Sequence, residues 1–487
     1  MAILASLVAL WAGLSPAWGL SAAAAKVDIT PDLTRHRIYM AGFGAAGRKP
    51  KGVHDPLYAR LLVLRDGERT VGVVGLDILG LYRDDVEDIR RLSGLSGPGR
   101  YLFVAATHDH SGPDTLGLWG PVPGFSGVAA AYHREMKEKI AEALRKLEAQ
   151  LTDVSLSADQ DQLDSRELCT DSRDPVVIDP DLAVLSLRDG RGRTVATVVN
   201  WACHPEALGR DNRLLTADFP GALCADIEKA TGGACLYLNG AIGGLLTPEI
   251  IPGQDGFAEA RRIGAKVAGA ALRLAAKTKT YKRRPNLSFQ SHKVLIPVEN
   301  SRYLLFLPAL TFGHQLMDAF GRPLPRWKTY WLPIKHALAG LRPEERPWIE
   351  TEVAIIDVGH ARLLGFPGEV FPELLIGGYD GRYKGSHPLI KPGNPNPPDL
   401  VHAPGPPYLK ELYGARHHVN LFVGLANDEV GYIVPEYDFK VRKNLLMTPH
   451  MPGDHYEETN SVGPSATRIL MDAALTVLRE ADRKPVL

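Results

Sequence analysis

The chain has 487 residues, 45% hydrophobic and 23% charged, enough apolar material for a large core, and its 48 glycines and 37 prolines call for many tight turns. Lys+Arg and Asp+Glu both number 56, so there is no net basic charge of the kind that draws a protein to DNA or RNA. The sequence shows no internal repeat and no low-complexity block.

Residues 1–25 carry no charged side chain and include the apolar run Ile3-Leu4-Ala5-Ser6-Leu7-Val8-Ala9-Leu10-Trp11, which reads as a secretory signal peptide, with an uncleaved anchor as the alternative. Small residues at Ala17-Trp18-Gly19 and again from Ser21 to Ala25 offer cleavage sites, and the expected boundary lies after Ala25. Export would permit disulfides among Cys169, Cys203, Cys224 and Cys235, in any of three full pairings.

The run Tyr101-Leu102-Phe103-Val104-Ala105 predicts a strand that breaks into Thr107-His108-Asp109-His110-Ser111-Gly112-Pro113. His108 and His110 stand at i and i+2, so both point to one face of a continuing strand, or converge on one ion from the loop beyond it; alone, an H-x-H also fits solvated or core-capping histidines. Helical periodicity over 129–151 follows, and then a β-rich run over 194–202 that ends on Cys203-His204-Pro205. Further helices are predicted over 221–231 and 256–276. Between 300 and 348 the chain is rich in leucine and aromatics, among them Tyr303, Phe306, Phe312, Trp327, Tyr330, Trp331 and Trp348, which fits either core packing or an apolar lid over an acyl-chain groove that touches membrane. A strand over 353–358 with its return over 361–366 ends on Pro367-Gly368-Glu369, placing a carboxylate after a turn. The Pro-rich stretch 391–407 reads as a solvated loop. A last apolar run, 420–425, leads through Ala426-Asn427-Asp428-Glu429-Val430 to Gly431-Tyr432, and a helix is predicted over 465–481. Histidine and carboxylate at successive strand ends form the usual ligand set of a catalytic zinc, although each of these groups taken singly also serves as turn chemistry.

Together these segments resemble the neutral (alkaline, non-lysosomal) ceramidase family in its N-terminal catalytic domain. The resemblance rests on H-x-H-S-G-P, a later histidine after a strand, P-G-E, and G-L-A-N followed by G-Y, all in the family's order. It extends to Lys26-Val27-Asp28-Ile29-Thr30-Pro31, Gly52-Val53-His54-Asp55-Pro56-Leu57-Tyr58-Ala59-Arg60 and Leu76-Asp77-Ile78-Leu79-Gly80. It implies one zinc per chain held by His108, His204, Glu369 and Tyr432, with His110 beside the metal for proton transfer or oxyanion binding. It also implies a tyrosine near the site, here Tyr456, where Glu458 replaces the glycine of the family's Y-E-G. The family's G-D-x-S-P-N segment is altered: Asn239-Gly240-Ala241-Ile242-Gly243-Gly244-Leu245-Leu246-Thr247-Pro248 keeps a hydroxyl at Thr247 but lacks the aspartate and the final asparagine. Cys203, next to His204, is an alternative ligand that the resemblance does not favour.

The expectation is therefore an α/β protein: a single large mixed α/β domain over 26–487, helices on a largely interior sheet, with a strand-end metal site and without the C-terminal β-sandwich that full-length relatives carry. The expected activity is zinc-dependent hydrolysis of the N-acyl bond of ceramide or a related lipid amide, with His110, Thr247 and Tyr456 as catalytic candidates. A zinc hydrolase of a smaller amide or ester, and a non-catalytic metal-stabilised surface binding protein, are the alternatives. The expected location is the periplasm or the exterior, with peripheral membrane contact and no nucleic-acid partner.

Overall fold

In the computed structural model the described residues are 19–278, 282, 285–310, 314–379, 388–414, 419–441 and 455–483. The uncharged stretch 1–18 and Phe312 lie outside them.

Near-continuous apolar runs form strands that are buried on both faces. An eight-stranded sheet takes β1 (Ser21–Asp28), β2 (Tyr58–Asp66), β3 (Arg69–Leu76), β4 (Arg100–Ala106), β5 (Thr152–Gln162), β6 (Asp181–Asp189), β7 (Thr194–Trp201) and β8 (Ala234–Asn239) in the order β8-β7-β6-β5-β1-β2-β3-β4. A second sheet runs β9 (Leu287–Pro297), β10 (Trp348–Val358), β11 (Ala361–Gly365) and β12 (Val419–Val423), with Leu316–Met317 pairing onto β10. Most neighbours are antiparallel, but β3–β4, β7–β8 and β11–β12 are parallel. The carboxyl ends of β4, β7, β11 and β12 carry the four predicted ligand segments.

The sequence pattern suggested one interior sheet, whereas the structure has two packed against each other. The period of two explains how: along β2, Leu61 and Val63 face one core with the helices, while Leu62 and Leu64 face another shared with Ile356, Leu363 and Leu421 of the second sheet. An apolar run does not say whether its second face meets a helix or another sheet.

Helices cover both outer faces. On the first sheet lie α1 (Arg83–Ser93), α2 (Ala130–Glu148), α3 (Asp218–Thr231) and α4 (Gly256–Lys277), the last capped by the Asp255 side chain, which accepts from the Ala258 N–H. On the second lie α5 (Ser301–Leu310) and the closing helix α7 (Ser465–Arg483), with α6 (Arg326–Ala339) packed on α5. The order is helices, sheet, sheet, helices. The predicted helices match these within a few residues. Among the described residues no helix is long and apolar enough to cross a membrane.

Two details refine the sequence reading. The expected boundary after Ala25 falls inside β1, whose residues Ser21 to Ala25 pair with Arg65 to Leu61. Leu20 is fully buried, and its carbonyl accepts from Val154 N–H at 2.9 Å, so the folded core already begins ahead of the strand. The four cysteines are free and buried. Burial, reinforced by Cys169 beside Cys203 and by Cys224 beside Cys235, pushes the Cys203 and Cys235 thiols well up.

The sheets are tied together at Asn427, which holds a positive φ of 63° just past β12. Its N–H donates to Val104 O (2.7 Å), its Oδ1 accepts from Val104 N–H (2.9 Å), and its Nδ2 donates to the Tyr101 hydroxyl (3.0 Å), all on β4. Asn427→Ala leaves the buried Val104 N–H without a partner and removes the amide that donates to the Tyr101 hydroxyl, which keeps its own bond to Glu352, so it is expected to cost about 1–3 kcal/mol in urea unfolding. A loss under about 0.5 kcal/mol would show that the sheets dock without this clamp.

Candidate metal centre and active site

The parallel strand ends set the site. Beyond β4, Thr107 N–H donates to Leu76 O (2.8 Å), and the N–H groups of His108 and Asp109 both donate to Ile78 O (3.1 Å), which turns the chain sharply. His108 takes a φ of 69°, a strained conformation for a residue with a Cβ. Its Nδ1 lies 2.9 Å from Leu79 O. Beyond β7, His204 has the same arrangement: its N–H donates to Leu246 O and its Nδ1 lies 2.9 Å from that same oxygen. With each Nδ1–H committed to a carbonyl, each Nε2 is left as an acceptor facing inward.

The third histidine comes from the same loop as the first. His110 N–H donates to Pro205 O (3.0 Å), which staples the two histidine loops together, and Arg48 Nη2 donates to His110 O (2.5 Å). Gly42 packs against this ring; a Cβ there would sit 2.5 Å from His110 Cγ, and the φ of 95° excludes side chains as well. Phe43 meets the ring edge-on with centroids 4.9 Å apart. The three imidazole centroids lie 5.0 Å (His108–His110), 5.0 Å (His108–His204) and 5.6 Å (His110–His204) apart.

The second sheet supplies the carboxylate and the phenol. Glu369–Val370 and Tyr432–Ile433 form a short parallel pair in which Glu369 is opposite Tyr432. Glu369 Oε2 lies 3.0 Å from His204 Nε2 and 3.4 Å from His108 Nε2. Burial works to raise this carboxyl, but the two imidazoles outweigh it and hold it at about 2. Conversely, burial disfavours charge on His204, yet Glu369 draws its pKa upward. Burial, reinforced by the other two histidines and Arg48, drives His110 well down and keeps it neutral. Tyr432 is pushed well up by burial and by Glu369, with Tyr456 packed across it at 5.9 Å between centroids.

This donor set fits a metal ion. The ligand atoms of His108, His110 and His204 all lie within 4.8 Å of one another, all three side chains are buried, and the site carries a carboxylate held ionised. Both ring nitrogens of His110 are buried without a hydrogen bond, while Glu206 Oε2 lies 3.4 Å from Nδ1. Such a group of buried imidazoles converging on an ionised carboxylate is what a transition metal takes up, with release of any proton shared between them. Two adjoining cavities, of about 50 and about 270 Å³, open beside it. His108, Glu369 and Glu429 line the smaller, His110, Tyr432 and Tyr456 line both, and Leu79, Leu116, Leu118, Trp119 and Phe306 give apolar walls.

No family model and no curated protein sequence matches the chain. Solved structures do match: the neutral ceramidase from Pseudomonas aeruginosa at 17% identity and a ceramidase complexed with C2 at 18%, each with a TM-score of 0.65 over 96% of this chain and 76% of the other. The chain has the neutral ceramidase fold. At this identity the likeness to those ceramidases is one of architecture, and it bears out the fold reached from the H-x-H-S-G-P, P-G-E and G-Y segments.

Against that ceramidase fold, the structure brings together His108, His110, His204, Glu369, Tyr432 and Tyr456, as expected. It does not bring in Thr247. That residue pairs with Thr170 on the short strand Leu246–Pro248, and the side chain from this segment that reaches the cavity is Leu245. The Cys203 sulfur points at His204 O (3.6 Å) and at Cys169, away from the ligand role open to it in the sequence. Three residues escaped the sequence reading. Glu206 lies two positions after His204. Glu429, three positions before Tyr432, is pushed well up by burial and Glu369, accepts from Gly431 N–H with Oε1, and has no hydrogen bond on its buried Oε2. Asn239 stood in the sequence only as the first residue of the altered segment, yet its Nδ2 donates to Thr107 O (2.8 Å) and Cys203 O (2.9 Å) while Oδ1 accepts from Cys203 N–H (3.2 Å). One amide thus holds the residues immediately before both His108 and His204.

Asn239→Ala is accordingly expected to lower metal affinity roughly 10–100-fold, measured by competition with a chromophoric chelator, with the fold retained. Unchanged affinity would make Asn239 structural only. A pH effect follows from Asp218, at the start of α3 behind the histidine loops. Burial pushes its carboxyl up to about 7, against the Phe219 N–H and helped by Glu206. An unfolded aspartate titrates near 3.9, so between about pH 4 and 7 the folded chain holds a proton that the unfolded chain has released. That stability is full below this window and is lost as pH rises through it. Asp218→Asn should flatten the urea-unfolding profile of metal-free protein across the window, and an identical slope would refute the assignment.

Proposed function

We propose that the chain is a member of the neutral ceramidase family and a zinc-dependent amidohydrolase that cleaves the N-acyl bond of ceramide or a related lipid amide to a fatty acid and an amine. The observation that carries this reading is the convergence of His108, His204, Glu369 and Tyr432 from four strand ends in two sheets, with His110 beside them, inside a fold shared with ceramidases. His108, His204, Glu369 and Tyr432 would hold one zinc ion. When bound, zinc supplies Lewis acidity to a carbonyl and lowers the pKa of water toward roughly 7.

The chain's own residues supply the rest. His110, kept neutral by burial, is a base for the attacking water and then, as its conjugate acid, a donor to the departing amine nitrogen. The hydroxyls of Tyr432 and Tyr456 stay protonated because both are pushed well above the usual phenol range, so Tyr456 is available to hydrogen-bond an oxyanion. The apolar walls exclude water and receive hydrocarbon. A second reading, a smaller amide or ester as substrate, is favoured by the altered segment Asn239 to Pro248, from which Leu245 lines the cavity. Export fits the uncharged residues 1–18, with processing ahead of Leu20 so that the core stays whole.

Purified protein should hydrolyse a fluorogenic N-acyl substrate and stop when a chelator strips the metal. His108→Ala and His204→Ala should lose zinc, whereas His110→Ala should keep most of it and lose activity by roughly 10²–10⁴-fold. Turnover that survives complete metal removal would end the zinc hydrolase reading, and activity falling flat as the acyl chain lengthens would favour the smaller substrate.

A further inference from the structure

Helix α6 wears its apolar side outward. Of thirteen large apolar side chains exposed among the described residues, five belong to this one helix: Trp327, Tyr330, Trp331, Ile334 and Leu338. Trp327 is 61% exposed and Leu338 80%. At 3.6 residues per turn the five fall within an arc of about 100°, a continuous stripe. Thr329, Leu332 and Pro333, on the opposite side, are the residues it buries. A helix with only an inward contact to make would be polar where this one carries two tryptophans.

The charges on α6 follow the stripe. The helix has no aspartate or glutamate, and Lys328 and Lys335 border one edge of the stripe while Arg326 borders the other. Lys335 also pairs with Glu345 at 2.7 Å, and Lys328 lies over the Trp327 ring at 6.0 Å. An apolar arc bearing tryptophan and tyrosine, edged on both sides by long basic side chains, is the build of a helix lying in a bilayer interface. Rings and leucine enter the acyl boundary there, and the basic ends reach back to headgroup phosphates. A protein partner would not require that framing. The position is apt as well, because α6 packs on α5, whose Tyr303 and Phe306 line the cavity beside the histidines.

We propose that α6 seats this protein on an anionic lipid surface, with the stripe from Trp327 to Leu338 buried in the interface and the flanking Arg326, Lys328 and Lys335 on the phosphates. The seat goes beyond the hydrolase reading and does not depend on turnover.

The test is co-sedimentation with vesicles of phosphatidylglycerol and phosphatidylcholine, against vesicles of phosphatidylcholine alone, with tryptophan emission recorded in parallel. The full chain should prefer the anionic vesicles and shift its emission to the blue. Trp327→Ser combined with Trp331→Ser should weaken that binding by at least about tenfold. It should leave the melting temperature and the rate on a water-soluble short-chain N-acyl substrate unchanged. Arg326→Glu with Lys328→Glu should remove the preference for anionic lipid. Equal binding by the tryptophan variant, or equal binding to both vesicle types, overturns the proposal. A dimer that dissociates on the same tryptophan substitutions, without vesicle binding, assigns the stripe to a second copy and overturns it too. Vesicle binding without hydrolysis of any N-acyl substrate would count against the hydrolase reading alone.

Discussion

The contact on which the molecule turns is a single carboxylate oxygen, Glu369 Oε2, facing the Nε2 atoms of His108 and His204. The histidines end strands of the first sheet and the glutamate follows a strand of the second, so this contact closes the seam between the two halves of the core. Burying a carboxylate without compensation would cost several kcal/mol. The surrounding structure is arranged to prevent that loss: each imidazole is fixed by a backbone carbonyl behind it, Asn239 fixes the backbone in front of both, and Asn427 holds the sheets in register. A divalent ion in the same place would be the strongest compensation of all, since its charge offsets Glu369 and removes the conflict between neighbouring imidazoles.

The two-sheet arrangement also explains why the site is a pocket. Parallel pairs β3–β4, β7–β8 and β11–β12 end on the same side, and loops that leave such ends enclose space outside the carboxyl edge of the strands. Loop residues then meet from distant parts of the chain, and apolar positions such as Leu79, Leu116 and Phe306 wall the space between them. Tyr432 and Tyr456 meet edge-on beside it, both kept in the phenol form by the same burial that keeps His110 neutral.

Much of this was legible in the sequence because strand ends announce themselves: an apolar run followed by His108-Asp109-His110-Ser111-Gly112-Pro113, or by Pro367-Gly368-Glu369, marks both an element and what it presents. What sequence could not show was partnership across space. Nothing local distinguishes a strand face that meets a helix from one that meets a second sheet. Nothing near Asn239 reveals that its amide reaches Thr107, and a hydroxyl at Thr247 looks available until its pairing with Thr170 turns it away from the cavity. Glu429 was hidden by its neighbours, since in Asn427-Asp428-Glu429 three polar residues compete for a turn and only the fold shows which one faces the pocket. Small apolar residues such as those of the alanine-rich stretch 21–25 suit a signal peptidase and a strand of the sheet equally well.

The positive φ of His108 has a kinetic meaning. A residue with a Cβ does not settle into that conformation in a loose chain, and here it is enforced by paired contacts with Ile78 and Leu79, which are themselves held only when β3 and β4 lie side by side. Glu369 and Tyr432 arrive from sequence-distant strands of the other sheet, so the full donor set exists only late in folding, after long loops have closed. A nascent or partly folded chain therefore offers isolated histidines with ordinary, weak affinity, and uptake of an ion at this site would be the last event of assembly. That ordering would protect the chain from trapping an ion in the wrong geometry, and it would make the rate of metal capture a clock for the docking of the two sheets.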